Sequence, residues 1–102
     1  MNSYKMFIDD LRECPNGFVC CRSSNDAIAY VMEHGCPIFI SFDHDLGGDD
    51  TSILFVNWLI DAVLDGKVIL PSEFDYKVHS ANPIGAMNIK SKMDGFLKFV
   101  RE

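Results

Sequence analysis

The stretch that decides the fold is PIFISFDHD, residues 37–45. From Pro37 to Phe42 the side chains are nearly all apolar, which is typical of a strand in the middle of a parallel sheet. The run ends abruptly at Asp43. Because open α/β sheets bind ligands outside the carboxyl ends of their strands, an acid at this point is a candidate functional residue.

Strands and helices alternate on either side of this stretch. Four strands are predicted, at residues 4–8, 18–21, 37–42 and 75–79. Three helices are predicted, between the cap residues 23–26 and Gly35, over 51–64, and over 83–99. This alternation predicts an α/β domain with a four-stranded, mostly parallel sheet.

The connection between the first two strands leaves their relative direction open. Residues 9–17 are fewer than the dozen or so that a parallel crossover usually takes. Either this crossover has lost its helix, or the second strand is an antiparallel edge of the sheet.

The predicted helix at 51–64 is apolar on almost every side. In a chain of 102 residues, such a helix has to be covered on more than one side. A second copy of the chain is one candidate for this covering, so a homodimer is among the expectations.

Length and composition exclude several classes of protein. One folded domain spanning residues 1–102 is expected, with 48% of the residues hydrophobic. No apolar run reaches the roughly 18–20 residues of a membrane span, and residues 1–10 lack the apolar region of a signal peptide. The expected compartment is therefore the cytoplasm. The net charge of −6 argues against binding to duplex DNA.

The four cysteines carry no paired spacing of the kind that zinc sites use. We expect free thiols, most of them buried in a reducing compartment. They are therefore interpreted as packing residues.

Polar side chains gather directly after three of the predicted strands. They are Asp9, Asp10 and Arg12 after the first, Asp43, His44 and Asp45 after the third, and His79, Ser80 and Asn82 after the fourth. Because parallel strands end at one edge of the sheet, these nine residues are expected to converge.

Three of these residues have the chemistry of a metal site. Asp9, Asp10 and Asp43 repel one another at close range, so such a group is tolerated mainly when a cation neutralises it. Oxygen ligands from aspartate suit Mg²⁺ or Mn²⁺, which commonly share their ligand shell with a phosphate. A divalent metal is therefore the expected cofactor.

The remaining residues suit a phosphate and its proton transfers. The Arg12 guanidinium can fork onto a phosphate, and Ser80 can contact phosphate oxygens together with the amides of the following helix. His79 and His44 are the side chains able to move protons near neutral pH. Asp45 then orients a histidine or completes the metal shell.

Several of these residues also have a purely structural interpretation. Asn82 before Pro83 forms a strong helix cap, whether or not Asn82 also contacts phosphate. His44 on its own is equally well explained as a structural histidine. Asp49 and Asp50 are expected in the first turn of the following helix or at its cap.

The motifs resemble the receiver domains of two-component signalling. More specifically, residues 9–12 (DDLR), 42–47 (FDHDLG) and 78–83 (VHSANP) are similar to a receiver-like family described as cyclic-phosphate-processing. This resemblance implies a small three-layer, receiver or flavodoxin-like fold whose first helix and fifth strand are missing or degenerate. It also implies a role in bacteria or phages, in RNA repair or in phage–host conflict.

The leading hypothesis is a metal-dependent phosphoesterase that opens a 2′,3′-cyclic phosphate at an RNA end or in a related small phosphoester. Its roles are metal binding by Asp9, Asp10 and Asp43, phosphate binding by Arg12, Ser80 and Asn82, and catalysis by His79, His44 and Asp45. A second hypothesis is a phosphoacceptor switch without turnover. A third is a non-catalytic module that sequesters a nucleotide or binds a host partner.

Overall fold

The computed structural model describes residues 3–102 and contains four strands and three helices. In chain order these are β1 (Lys5–Ile8), β2 (Phe18–Cys21), α1 (Ser24–His34), β3 (Phe39–Phe42), α2 (Ser52–Leu64), β4 (Asp75–Val78) and α3 (Pro83–Arg101). Met1 and Asn2, which open the stretch expected to lack a signal peptide, lie outside the described residues. No described helix is both long and apolar enough to cross a membrane.

All four strands are parallel and lie in the order β2-β1-β3-β4. The receiver-like α/β fold is therefore confirmed. The second strand is a parallel neighbour of β1, and the chain reaches it through the loop 9–17 without forming a helix. Of the two alternatives for this connection, the lost helix is correct.

The two faces of the sheet differ, because side chains alternate along each strand. Met6, Ile8 and the residues paired with them form the covered face, which joins buried side chains of all three helices in one hydrophobic cluster. We call the opposite side the open face. It carries Lys5, Phe7, Phe18, Cys20, Phe39, Ser41, Asp75 and Lys77. None of these eight belongs to the cluster that the described helices form with the sheet.

The helices therefore form one layer, and the expected three-layer arrangement is reduced to two layers. Crossovers between parallel strands are right-handed, so those from β2 to β3 and from β3 to β4 place α1 and α2 on the same side. A helix after β1 would cross in the opposite direction and cover the other side. The loop 9–17 replaces that helix, which leaves the open face without one.

Helix α2 is apolar on almost every side because it lies between α1 and α3. It buries Phe55, Val56 and Leu59 completely. Each such burial stabilises the fold by about 1.5–3 kcal/mol. The other helices of the chain thus cover α2. A homodimer is not needed for this purpose and stays a prediction.

The four cysteines are free thiols, as the sequence indicated. Cys21 and Cys36 are buried, and this burial is the main cause that raises the pKa of each thiol to about 12. At neutral pH both thiols are protonated and act as core side chains.

Candidate functional site

Three polar residues directly follow the carboxyl ends of three neighbouring strands and lie at the same level of the sheet. The last residues of β1, β3 and β4 are paired in register, and Asp9, Asp43 and His79 come directly after them. Each lies two positions beyond a residue of the open face, so the three side chains emerge on that side. One ligand atom from each lies within 4.8 Å of the other two. The predicted convergence at this edge is therefore present for these three residues.

The carboxylate of Asp9 is the buried centre of this group, with 1% of the residue exposed. Its Oδ1 accepts hydrogen bonds from the backbone N–H groups of Leu11 (2.9 Å) and Arg12 (2.8 Å). Its Oδ2 lies 2.8 Å from Arg12 Nη1 and 2.9 Å from His79 Nε2. Burial alone would raise the pKa of Asp9, but these donors outweigh it and hold the pKa well below its usual range.

The imidazole of His79 is held from three directions. Its Nε2 faces Asp9, and its Nδ1 lies 2.7 Å from the hydroxyl oxygen of Ser41. An ionised Asp9 is an acceptor only, so Nε2 carries the proton and Nδ1 accepts from Ser41. The ring also stacks on Phe7, with centroids 4.6 Å apart and planes 3° from parallel. The orientation of His79 is thus fixed before any ligand binds.

Asp43 completes the acidic pair beside Asp9. Its side chain is 13% exposed, and its Oδ2 lies 3.6 Å from Arg12 Nη1. Its Oδ1 accepts from the backbone N–H of His44 at 2.9 Å, and the Ser52 hydroxyl donates to its carbonyl oxygen. The Arg12 guanidinium therefore lies between two carboxylates and compensates their repulsion.

Arg22 is a residue of this edge that sequence reasoning missed. Its Nη1 donates to the carbonyl oxygens of Asp9 (3.0 Å) and Arg12 (2.6 Å). It thereby ties the loop 9–17 to the end of β2. The available signal was its position, since Arg22 follows the second strand as Asp9 follows the first.

Asp10, also predicted as a metal ligand, is not in the group of Asp9, Asp43 and His79 whose ligand atoms lie within 4.8 Å of one another. Its Oδ2 is 3.3 Å from the position that a Cβ on Gly47 would occupy, so this carboxylate faces the loop after β3. The group that can hold a metal among the described residues is Asp9, Asp43 and His79. For all three to hold one divalent cation, Arg12 has to withdraw from the Asp9 oxygen that it occupies and His79 Nε2 has to lose its proton.

A second chain of polar contacts runs beside this cluster. Asp45 accepts from Asn82 Nδ2 at 3.2 Å, and its other oxygen lies 3.1 Å from His44 Nδ1. The Asn82 bond, followed by the His44 contact, lowers the pKa of Asp45. The Nε2 of His44 has no hydrogen-bond partner that the described residues supply, while its side chain is 13% exposed. This arrangement leaves one oriented imidazole nitrogen available for proton transfer.

Asn82 and Ser80 shape the turn into α3. Asn82 Oδ1 accepts from the N–H of Gly85 at 3.0 Å, which is the expected helix cap. Both polar ends of the Asn82 amide are thus engaged inside the protein. Ser80 Oγ accepts from the N–H of Asn82 at 3.0 Å, which leaves the Ser80 hydroxyl proton to donate elsewhere.

The acids before α2 do not start that helix. Thr51 is its N-cap, and α2 has no acid in its first turn. Asp50 instead accepts from the backbone N–H of Ser24 at 2.9 Å, at the start of α1. The expectation for Asp50 is thereby corrected, because the tight turn at Gly47 and Gly48 brings this carboxylate to a different helix.

Gly85 allows α3 to lie against the His44 ring. A Cβ at Gly85 would stand 2.3 Å from His44 Cγ, so we expect Gly85→Ala to displace the ring and destabilise the protein by about 1–3 kcal/mol. In the same helix a Cβ at Gly95 meets nothing within 4 Å, and Gly95→Ala is expected to stabilise by about 0.5–1 kcal/mol. Urea unfolding and the NMR signals of the His44 imidazole measure both effects. Equal stabilisation by the two substitutions would contradict this packing.

The lowered pKa of Asp9 predicts a loss of stability in acid. Because this pKa lies below its unfolded value of about 4, Asp9 stabilises the fold above that pH, and the contribution is lost as the pH falls towards the native value. The expected loss is on the order of 2–3 kcal/mol. Urea unfolding of the metal-free protein at a series of acidic pH values measures it. Asp9→Asn is expected to flatten this dependence, and exposed Asp49→Asn to leave it unchanged.

Comparison with known proteins adds a family assignment to this geometry. The family described as the cyclic-phosphate processing receiver domain has a model that matches residues 4–95. The matched range contains every residue of the site described above. No curated protein and no solved structure matches the chain significantly.

Proposed function

The chain belongs to the family of cyclic-phosphate processing receiver domains, and from that premise we propose that it is a metal-dependent phosphoesterase. Its substrate is the 2′,3′-cyclic phosphate of an RNA end or a related nucleotide phosphoester. The observation that carries this proposal is the pairing of the buried Asp9 with the partly exposed Asp43 through Arg12, together with a His44 whose Nε2 has no partner among the described residues. Carboxylates, a guanidinium and an imidazole are the groups that hydrolysis of a charged phosphoester uses.

In the proposed reaction, water adds to the phosphorus and one ring P–O bond breaks. His44 Nε2 accepts the proton of the attacking water, with Asp45 holding the opposite side of the ring. His79 gives a proton to the leaving 2′ or 3′ oxygen. The Nε2 proton of His79 and the Arg12 guanidinium share one Asp9 oxygen, so they lie side by side. The net change is the addition of one water molecule to the phosphoester.

Arg12 and Ser80 are the proposed phosphate ligands. The guanidinium of Arg12 bonds Asp9 through Nη1 only. Its other N–H groups are therefore available to a phosphate. The hydroxyl of Ser80 donates from the turn before α3. Asn82 contributes by holding Asp45 and capping the helix, and any direct phosphate contact requires its amide to exchange a partner.

The proposed metal ligands are the carboxylates of Asp9 and Asp43, with Asp10 in the surrounding shell and His79 beside them as the proton donor. A bound Mg²⁺ or Mn²⁺ neutralises phosphate charge and polarises the phosphorus for attack. Carboxylate ligands suit either Mg²⁺ or Mn²⁺. A metal held by Asp9 would compete with Arg12 for that carboxylate, and Arg12 would then be free to bind the substrate.

A panel of cyclic and linear phosphoesters tests this function. The purified protein is incubated with each compound in Mg²⁺, Mn²⁺ or EDTA, and the products are identified by mass spectrometry. The proposal predicts ring opening of cyclic phosphates in the presence of metal. Full activity in EDTA would show that the reaction needs no metal. An absence of product under every condition would rule out phosphoesterase activity on these compounds.

One observation favours a second candidate, a module that binds a nucleotide or a phosphoryl group without turnover. The oxygens of Asp9 and both ring nitrogens of His79 are paired within the protein, which is a stable resting arrangement. This candidate predicts tight binding of a cyclic nucleotide that is recovered unchanged. If the module instead accepts a phosphoryl group, Asp43 is expected to become phosphorylated. The intact mass of the protein after incubation with a small phosphodonor tests this.

We propose the cytoplasm as the place of action, with residues 1–102 working as one receiver-like domain. The partners in this proposal are a phosphate-containing small molecule or an RNA end. Duplex DNA is not among them, because the net charge of −6 repels a long polyanion.

A further inference from the structure

We propose that the open face of the sheet binds the single-stranded nucleotides that precede the cyclic phosphate, with their bases stacked on Phe18 and Phe39. This inference rests on the proposed function, because it extends the same site. It assigns a substrate-binding role to the part of the open face that carries Phe18 and Phe39, which the proposed function does not use.

The register of the sheet aligns this surface with the site. Phe39 lies four positions before Asp43, and Lys5 lies four positions before Asp9. Four residues of strand span about 13 Å, and residues at this spacing share one face. Phe18 pairs with Lys5 from the other side. A chain of nucleotides that leaves the site along the strands therefore passes directly over these residues.

The aromatic rings of the open face form a connected group. The centroids of Phe18 and Phe39 are 6.2 Å apart with planes at 71°, and Phe7 contacts Phe18 at the same distance. Phe18 and Phe39 are partly exposed, whereas Phe7 is buried under the ring of His79. The surface is thus continuous from the accessible rings, through Phe7, to a proposed catalytic residue.

The charges on this face suit a phosphate backbone. Lys5 is exposed, with its Nζ 5.1 Å from the centroid of the Phe18 ring, and Lys77 is exposed on β4. The one acid on the face, Asp75, accepts from the backbone N–H of Tyr76 at 2.8 Å. A lysine over an accessible ring and a second lysine on the same face stand out on a chain whose net charge is −6.

Single-stranded nucleic acid is the occupant that matches this combination. Sheet surfaces with exposed aromatic rings stack unpaired bases, and neighbouring cations follow the backbone. A second copy of the chain packed on this face would instead bury Lys5 and Lys77, which costs free energy unless each lysine finds an acid. The continuity with a site for cyclic phosphate adds a further reason for RNA.

The test compares a short single-stranded RNA ending in a 2′,3′-cyclic phosphate with the corresponding cyclic mononucleotide. Binding of fluorescently labelled RNA is measured by anisotropy, and turnover of both compounds by mass spectrometry. Phe18→Leu and Phe39→Leu are each expected to weaken RNA binding about tenfold, the scale of one lost base stack, and to leave mononucleotide turnover unchanged. Phe99→Leu, which removes a ring that is 69% exposed on α3, is the matched control.

Lys5→Gln keeps both rings of the surface and removes the cation that lies over Phe18. It is expected to weaken RNA binding and to reduce the dependence of binding on salt concentration, since one phosphate contact is lost. Thermal melts confirm that each variant is folded.

The outcomes separate this inference from the proposed function. RNA binding that is unaffected by Phe18→Leu, Phe39→Leu and Lys5→Gln overturns the inference, even if the protein hydrolyses both compounds. A dimer that dissociates on Phe18→Leu overturns it as well, because the face is then an interface between copies. Binding of RNA that depends on Phe18, without any hydrolysis, supports the surface while the phosphoesterase proposal fails.

Discussion

The substitution Asp43→Asn is expected to abolish opening of a cyclic phosphate, with kcat/KM reduced on the order of 10³-fold. Asp43 supplies one of the two negative charges that Arg12 bridges, and it is one of the proposed metal ligands. Asparagine keeps the shape and the oxygen that accepts from the backbone N–H of His44, but it loses the charge. Metal-dependent thermal stabilisation is expected to disappear together with activity.

The fold is expected to survive this change. Asp43 is 3.6 Å from its only ionic partner among the described residues, which is a weak contact compared with those of the deeply buried Asp9. Initial rates, circular dichroism and thermal melts with and without Mn²⁺ are the measurements. Asp49→Asn, an exposed change in the same loop, is the control and is expected to retain full activity. Full activity in Asp43→Asn would rule out the proposed site.

The substitution His44→Gln is expected to lower the rate by 10²- to 10⁴-fold, the range for loss of a general base. Among the described residues, the Nε2 of His44 is the imidazole nitrogen of the site that has no partner. Because the one polar side-chain contact of His44 is with the exposed Asp45, while its ring packs against Gly85 of α3, the expected loss of stability is smaller than that for His79. His79→Gln, by contrast, removes contacts to Asp9, Ser41 and Phe7 and is expected to lower stability as well as activity.

The control for His44→Gln is the same change at the histidine at the end of α1. His34 lies in the last turn of that helix, on a different element from the site, so His34→Gln is expected to leave the rate unchanged. Initial rates and urea unfolding of the three variants distinguish the roles. An unchanged rate in His44→Gln would show that a group other than His44 is the general base.

The parts of the fold that could be predicted are those that depend on local pattern. The apolar run 37–42, the alternation of strands and helices, and the Asn82 cap are each encoded within a few neighbouring residues. The edge at which Asp9 and Asp43 meet follows from the rule that parallel strands end together. These features were predicted from the sequence, and the structure contains them.

The remaining features depend on contacts between residues far apart in the chain. The bond from His79 to Asp9 spans 70 positions, and the place of Asp50 at the start of α1 depends on the turn at Gly47. The fit of Gly85 against His44 depends on how α3 packs, which no local pattern encodes.

The open face follows from an element that the chain lacks. A receiver-like fold with a loop at 9–17 in place of a helix exposes one side of its sheet. The loss of that helix was one of two alternatives drawn from the length of the loop. Its consequence, a site that opens onto the aromatic face, required the register of all four strands.

The mass of a nucleoside 2′,3′-cyclic phosphate after incubation with the unaltered protein tests the central claim most directly. In Mn²⁺ the nucleotide is expected to gain the mass of one water molecule over many turnovers, while the mass of the protein stays constant. EDTA is expected to stop the reaction. A nucleotide that remains unchanged at every metal and protein concentration would contradict the assignment of this site as a phosphoesterase.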